Sequence, residues 1–261
     1  FQAEDGIRDR SPSRGLGDVY KRQLEERVSI MKDEDFKKKL LSEQGSSSNG
    51  LVKSIIRNID NIYVLDKIPD YEPHKETSLG SKAKKLNREI NDYIYDILLE
   101  DDGNSLLYYP IGNYLDYSLE ASLEMISSDH TLLGLGDGGA HCATICDASF
   151  TTHMLTFWGR DRTRGKKLDL PWIIKSYTRD NALAIGLEDR GLIKEGMKAD
   201  INIIDFDNLT LYSPEIRYDL PAGGKRLVQK VDGYKYTIVS GKVTYVDGVS
   251  TGELPGRLIR S

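Results

Sequence analysis

TLLGLGDGGAH, residues 131–141, decides how the chain is read. A short apolar run delivers an aspartate, Asp137, and two glycines, Gly138 and Gly139, follow at once. The run 131–137 reads as a buried strand. In parallel α/β folds the catalytic groups stand at the C-terminal ends of the strands. The glycines let backbone approach a ligand closely and allow a turn that a side chain would obstruct. Taken alone, Asp-Gly-Gly reads more plainly as a strand-end turn in which Asp137 bonds its own backbone.

Working outward, NIYVLD (61–66) and SLLYYPIG (105–112) are two further strand candidates. Apolar residues at helical spacing predict helices over 81–99 and 114–127. A third helix is predicted over 169–187, with Pro171 near its start and Gly186 near its end. Residues 24–42 suggest one or two short amphipathic helices, and 51–57 a short one. Strands alternating with helices predict a parallel sheet of βαβ units. Three strands are too few to close a barrel but suit the last strands of an eightfold one. After Gly186 the texture turns to β, with a strand at 201–206 and a hairpin over 235–248 turning at Ser240-Gly241. LPAGGKRLVQ (220–229) adds a glycine turn between them. The expected fold is α/β. It places the C-terminal portion of a (β/α)8 barrel over 24–186 and a small β-sandwich-like domain over 187–261.

Composition narrows the function classes. Hydrophobic residues are 39% and charged residues 30% of 261, which suits a globular chain. A net charge of -5 with no concentrated basic face argues against nucleic acid as a partner. No apolar run approaches the roughly 20 residues that span a bilayer, so no membrane is expected. With no leader pattern and only two cysteines, Cys142 and Cys146, a reducing cytoplasmic location is expected. HCATICD lacks the paired two-residue spacings of structural zinc sites, so the cysteines read as small buried residues. Residues 1–23, rich in Gly, Arg, Asp and Ser, resemble a translated sequencing-adapter read-through. That resemblance puts the native start near Leu24 and predicts missing upstream sequence.

Several motifs occur together. GDGGAH is followed by ICDASF (145–150), FWGRDRTRG (157–165), RGLIKEGMKADINIID (190–205), DLPAGGKRLVQ (219–229) and GELPGRLIR (252–260). In this order they resemble the N-acyl-D-amino-acid deacylases of the metal-dependent amidohydrolase superfamily. The resemblance implies a zinc-dependent barrel hydrolase acting on a small-molecule N-acyl amino acid. It makes Asp137 the general base and acid beside a metal-activated water, and a weak or secondary metal ligand. Gly138, Gly139 and His141 would lie against substrate; for His141 a structural hydrogen bond is an equal reading. Arg160, Arg162 and Arg164 form a basic cluster. Arg160 is the candidate for a substrate carboxylate, with a salt-bridged turn as the plainer reading for each arginine.

One departure from that family matters. The chain has no His-x-His pair, and its four histidines stand apart at 74, 130, 141 and 153. By itself the chain is therefore expected neither to hold zinc tightly nor to turn over amides, and to expose apolar barrel edges. His74 and His153 read as structural or exposed. Two alternatives stand beside the deacylase reading: a cyclic-amide hydrolase of the dihydropyrimidinase or dihydroorotase kind, and a non-catalytic scaffold or binding subunit. Nothing in the sequence sets an oligomeric state.

Overall fold

The structure is a computed structural model, and it describes residues 24–43, 49–114, 116–134, 136 and 147–259. The chain is mixed α/β, and its described residues divide into two compact units. One holds the described residues of 24–66 and 70–119; the other holds 67–69 and those of 120–259.

The first unit is mostly helical: α1 (Leu24–Met31), α2 (Glu34–Ser42), α3 (Gly50–Arg57), α4 (Leu79–Lys85) and α5 (Ile90–Leu99). Asp33 caps α2 by accepting from the Phe36 amide at 2.8 Å, and Ser78 caps α4 by accepting from Ser81 at 3.1 Å. The core is Ile62, Leu79 and Ile97, with Ile55, Ile59, Ile94 and Leu107 packed against it. A single helix was expected over 81–99; the chain breaks it at Asn87, whose φ is 52°. Arg88 N–H reaches the Ala83 carbonyl at 3.0 Å and Asn87 N–H reaches Lys84 at 3.1 Å. This is a Schellman turn with asparagine in the left-handed position, and it closes the carbonyls that the stop leaves open. Lys37 on α2 and Arg88 then share Asp92 and Asp96 on α5. Hydrogen bonds from Lys37 and Arg88 hold the Asp92 carboxyl below its usual range. Burial pushes Asp96 up, but the same two cations outweigh it and its carboxyl is lowered as well.

The two strand candidates of this unit exist in short form, as β1 (Tyr63–Val64) and β2 (Leu107–Tyr108). They pair antiparallel, Tyr63 with Tyr108 and Val64 with Leu107, which corrects the expected parallel pairing. Helices α4 and α5 lie between the two strands in sequence, so the connection is long enough for either direction, and the register is antiparallel.

The second unit carries α6 (Glu120–Ile126), then α7 (Phe150–His153), which runs on as a π-helical segment Met154–Asp161. α8 (Leu170–Lys175) continues through π-helical Ser176–Asp180 into α9 (Asn181–Ala184). This is the helix expected over 169–187. Asp169 caps it at the Trp172 amide, Pro171 sits in its first turn, and Gly186 closes it at φ 75°. The helix expected over 114–127 begins only at Glu120, because Asn113 and Tyr117 adopt φ 56° and 55°. The strand expected over 131–137 is absent at described residues 131–134 and 136. Thr131 Oγ1 instead donates to the Met125 and Ser128 carbonyls, both at 2.9 Å, which ties the segment to the end of α6 rather than to a ladder.

The β texture after residue 200 is as expected. β3 (Ile201–Ile204), β6 (Tyr234–Val239), β7 (Lys242–Val246) and β8 (Val249–Ser250) form one sheet in the order β3-β6-β7-β8. Ser240 and Gly241, at φ 51° and 77°, make the predicted tight turn between β6 and β7. β4 (Thr210–Leu220) and β5 (Gly224–Asp232) form a separate ribbon turning at Pro221–Gly223. Every described pairing is antiparallel. No described helix is long and apolar enough to cross a membrane.

Candidate functional site

Asp137, Gly138, Gly139 and His141 lie outside the described residues, as do Cys142 and Cys146. The flanks on both sides are described. Before the motif, the Leu133 carbonyl accepts a hydrogen bond from the Asn181 side-chain amide on α9. After it, a turn at Asp147–Ser149 leads into α7, which is fastened to the β elements of its own unit. Ser149 Oγ donates to Gln229 Oε1 on β5, and Thr152 Oγ1 meets the Tyr234 hydroxyl at 2.9 Å. Met154, Leu155 and Trp158 bury the inner side of this helix, and Ile173 on α8 is fully buried.

The arginines of FWGRDRTRG part company. Arg160 is at the end of the π-helical segment and all five of its N–H groups are engaged. Nη1 donates to the carbonyls of Phe206 and Asp207, and Nη2 to Leu209 at 2.7 Å. Nε and Nη2 also form a two-pronged pair with Asp161 at 2.7 and 2.9 Å, which raises the arginine's pKa. The guanidinium clamps the turn between β3 and β4, and a substrate carboxylate would have to displace one of these bonds. Arg162 is buried, with no side-chain exposure. It donates to Glu120 Oε1 at 2.8 Å and to the Lys166 carbonyl at 2.9 Å, and it stacks 4.7 Å from the Trp158 ring. A buried charge needs such partners. Arg162 and Glu120 therefore belong to the frame, and the sequence spacing alone does not bring them together.

His153 stacks on Phe157 with centroids 4.9 Å apart and rings 10° from parallel. Its Nε2 is shielded from solvent, and burial lowers its pKa to about 4. It is neutral at neutral pH. The structural role expected for His153 fits this packing. Tyr177, beside Phe150 at 5.9 Å, is pushed up to about 12 by burial and stays protonated.

A family model described as the amidohydrolase family matches residues 104–245. The chain belongs to the amidohydrolase family. No curated protein and no solved structure matches it. The matched span of this amidohydrolase takes in 131–141, both arginines and the strands through Tyr245. The family is one of hydrolases that generally depend on a metal. Among the described residues of the amidohydrolase, no three His, Cys, Asp or Glu side chains come together where an ion could bind. The described residues do not by themselves make up a metal centre.

Proposed function

We propose that the chain is the C-terminal part of a zinc-dependent amidohydrolase that cleaves the amide of N-acyl-D-amino acids, with Asp137 moving the proton. The observation that carries this reading is the family match over 104–245, which encloses GDGGAH. In this reading the Asp137 carboxylate takes a proton from the attacking water and returns one to the departing amine. Gly138 and Gly139 leave room for substrate against backbone. His141 contacts substrate or steadies Asp137. Arg160 meets the substrate carboxylate only if its hold on residues 206–209 opens at one point. Zinc belongs to the reading through the family, with Asp137 at most a weak or secondary ligand. A chain with no His-x-His pair then relies on ligands from sequence beyond these 261 residues. Residues 1–23 stand outside the native protein, 24–186 contribute to the barrel, and 187–261 form the β domain. The proposed compartment is the cytoplasm.

The chain as it stands is expected to retain less than stoichiometric zinc after dialysis and to leave N-acetyl-D-amino acids intact. Joined to the coding sequence proposed to precede it, it is expected to hydrolyse them in preference to hydantoins and dihydropyrimidines. Asp137→Asn in that longer enzyme should lower kcat by roughly 10²–10⁴-fold. Turnover of cyclic amides alone would replace the substrate assignment, and an unchanged kcat in the variant would remove Asp137 from the chemistry.

A further inference from the structure

Leu132–Gly134 run up to the GDGGAH motif outside any strand. Among the described residues one hydrogen bond reaches these three, and it comes from a side chain: Asn181 Nδ2 donates to the Leu133 carbonyl. A carbonyl only accepts, so the amide nitrogen must be the atom that faces it. Just before, Thr131 is tied to the end of α6 through the Met125 and Ser128 carbonyls. The segment is thus held by α6 at Thr131 and by α9 two residues later.

Asparagine is a poor helix former, because its side chain competes for backbone groups. Its place on α9 therefore calls for a reason, and the neighbouring side chains have other duties. Lys175 holds Asp180 at 2.6 Å, and Arg179 Nη1 donates to the Glu188 and Arg190 carbonyls at 2.9 and 3.0 Å. Ala182 is buried. The stretch before Asn181, Ser176–Asp180, is π-helical. A π turn takes in an extra residue and so resets which side chains of the following turn face inward. Asn181 is the first residue after it.

We propose that Asn181 is a positioning residue for the proposed hydrolysis: its amide fixes the segment that leads, four residues after Leu133 in sequence, to Asp137. This rests on the reading of Asp137 as the base. A base works only within hydrogen-bond reach of its proton, so a lead-in segment that shifts costs turnover more than substrate binding. Two measurements test it. On the full chain, limited proteolysis with thermolysin reads opening at Leu132 and Leu133, since cleavage follows the population of the open form. Asn181→Ala, which removes the hydrogen bond, is expected to raise it about threefold to tenfold. Alanine is the better helix former, so the circular dichroism should stay as it was and melting of α9 is not the cause. Asn104→Ala, in the first unit, should leave cleavage at Leu132 and Leu133 unchanged. In the longer enzyme, Asn181→Ala should lower kcat about tenfold to a hundredfold and alter KM less than about threefold. Asp137→Asn is measured beside it. If Asp137→Asn lowers kcat and Asn181→Ala does not, the positioning role is overturned and the deacylase reading stands. If Asp137→Asn leaves kcat unchanged, the reading of the base falls and the positioning role with it. Unchanged cleavage in Asn181→Ala, or equal loosening in Asn104→Ala, overturns the proposal on the chain alone.

Discussion

His153 shows what a single residue owes to its surroundings. Its ordinary pKa of 6.5 falls to about 4 because burial disfavours the charged ring. Between those two values the unfolded chain binds a proton that the native chain excludes. Stability contributed here is therefore complete above about pH 6.5 and is lost as pH falls towards 4, by at most about 3 kcal/mol. Urea unfolding midpoints measured from pH 7 down to 4.5 should drop in the native sequence and drop less in His153→Gln; parallel slopes would show that His153 is not the group responsible. The sequence placed His153 only as structural or exposed, since nothing local in FTTHMLTF announces the Phe157 stack. Arg160 and Arg162 make the same point. Two residues apart, they read as one cluster, yet one clamps backbone at 206–209 and the other is buried against Glu120, forty-two residues away in sequence. Asp137 stands out in the sequence because an apolar run and two glycines frame it; it lies outside the described residues, and its role belongs to the proposed function.

At the scale of elements, what was legible depended on whether the signal was local. The helix over 170–184 was readable because its cap, its proline and its closing glycine are all in the sequence beside it. The β6–β7 turn was readable because Ser240-Gly241 accepts positive φ. The stop at Asn87 was not, because AKKLNREIND keeps helical spacing across it and the break is made by hydrogen bonds to Ala83 and Lys84. At described residues 131–134 and 136 the expected strand does not form, for a similar reason: apolar content says buried, but only a partner makes a strand. Glycine tests how tightly elements approach. Gly165, at φ 112°, lies where an added Cβ would stand 2.0 Å from Glu120 Oε1 and 2.9 Å from the Arg162 guanidinium. Gly241 has positive φ as well, with nothing within 4 Å. Gly165→Ala should cost about 2–4 kcal/mol, combining backbone strain with overpacking. Gly241→Ala should cost only the backbone part, about 1 kcal/mol. Thermal unfolding of the two variants compares them directly. Equal losses would mean that the approach of Gly165 to the Arg162–Glu120 pair imposes nothing beyond its φ.

For the whole molecule, the balance of apolar surface is the informative quantity. The alternation of helix and strand in the sequence led to parallel βαβ units, yet each described pairing is antiparallel. Periodicity reports which residues want burial; it does not report the direction of the strand that buries them. Burial is incomplete here. The register of the four-stranded sheet sets Ile203 beside Tyr236, and Tyr236 beside Val246, which pairs with Val249. Ile203, Tyr236 and Val249 are 47%, 42% and 70% exposed on that row. Ile193 and Leu254 are exposed still further, at 88% and 92%. Single exposed apolar residues are ordinary on protein surfaces, but a row of them across hydrogen-bonded strands forms a patch that water disfavours. The row also runs out to β3 and β8, whose outer edges are open in the described sheet. Self-association that grows with concentration is the expected result, read by static light scattering from dilute to concentrated protein. Tyr236→Ser with Val249→Thr should reduce it without changing the circular dichroism, because both side chains are exposed and neither belongs to the buried core. A mass that stays at 29.4 kDa at every concentration would mean that the exposed row is too small or too interrupted to drive association.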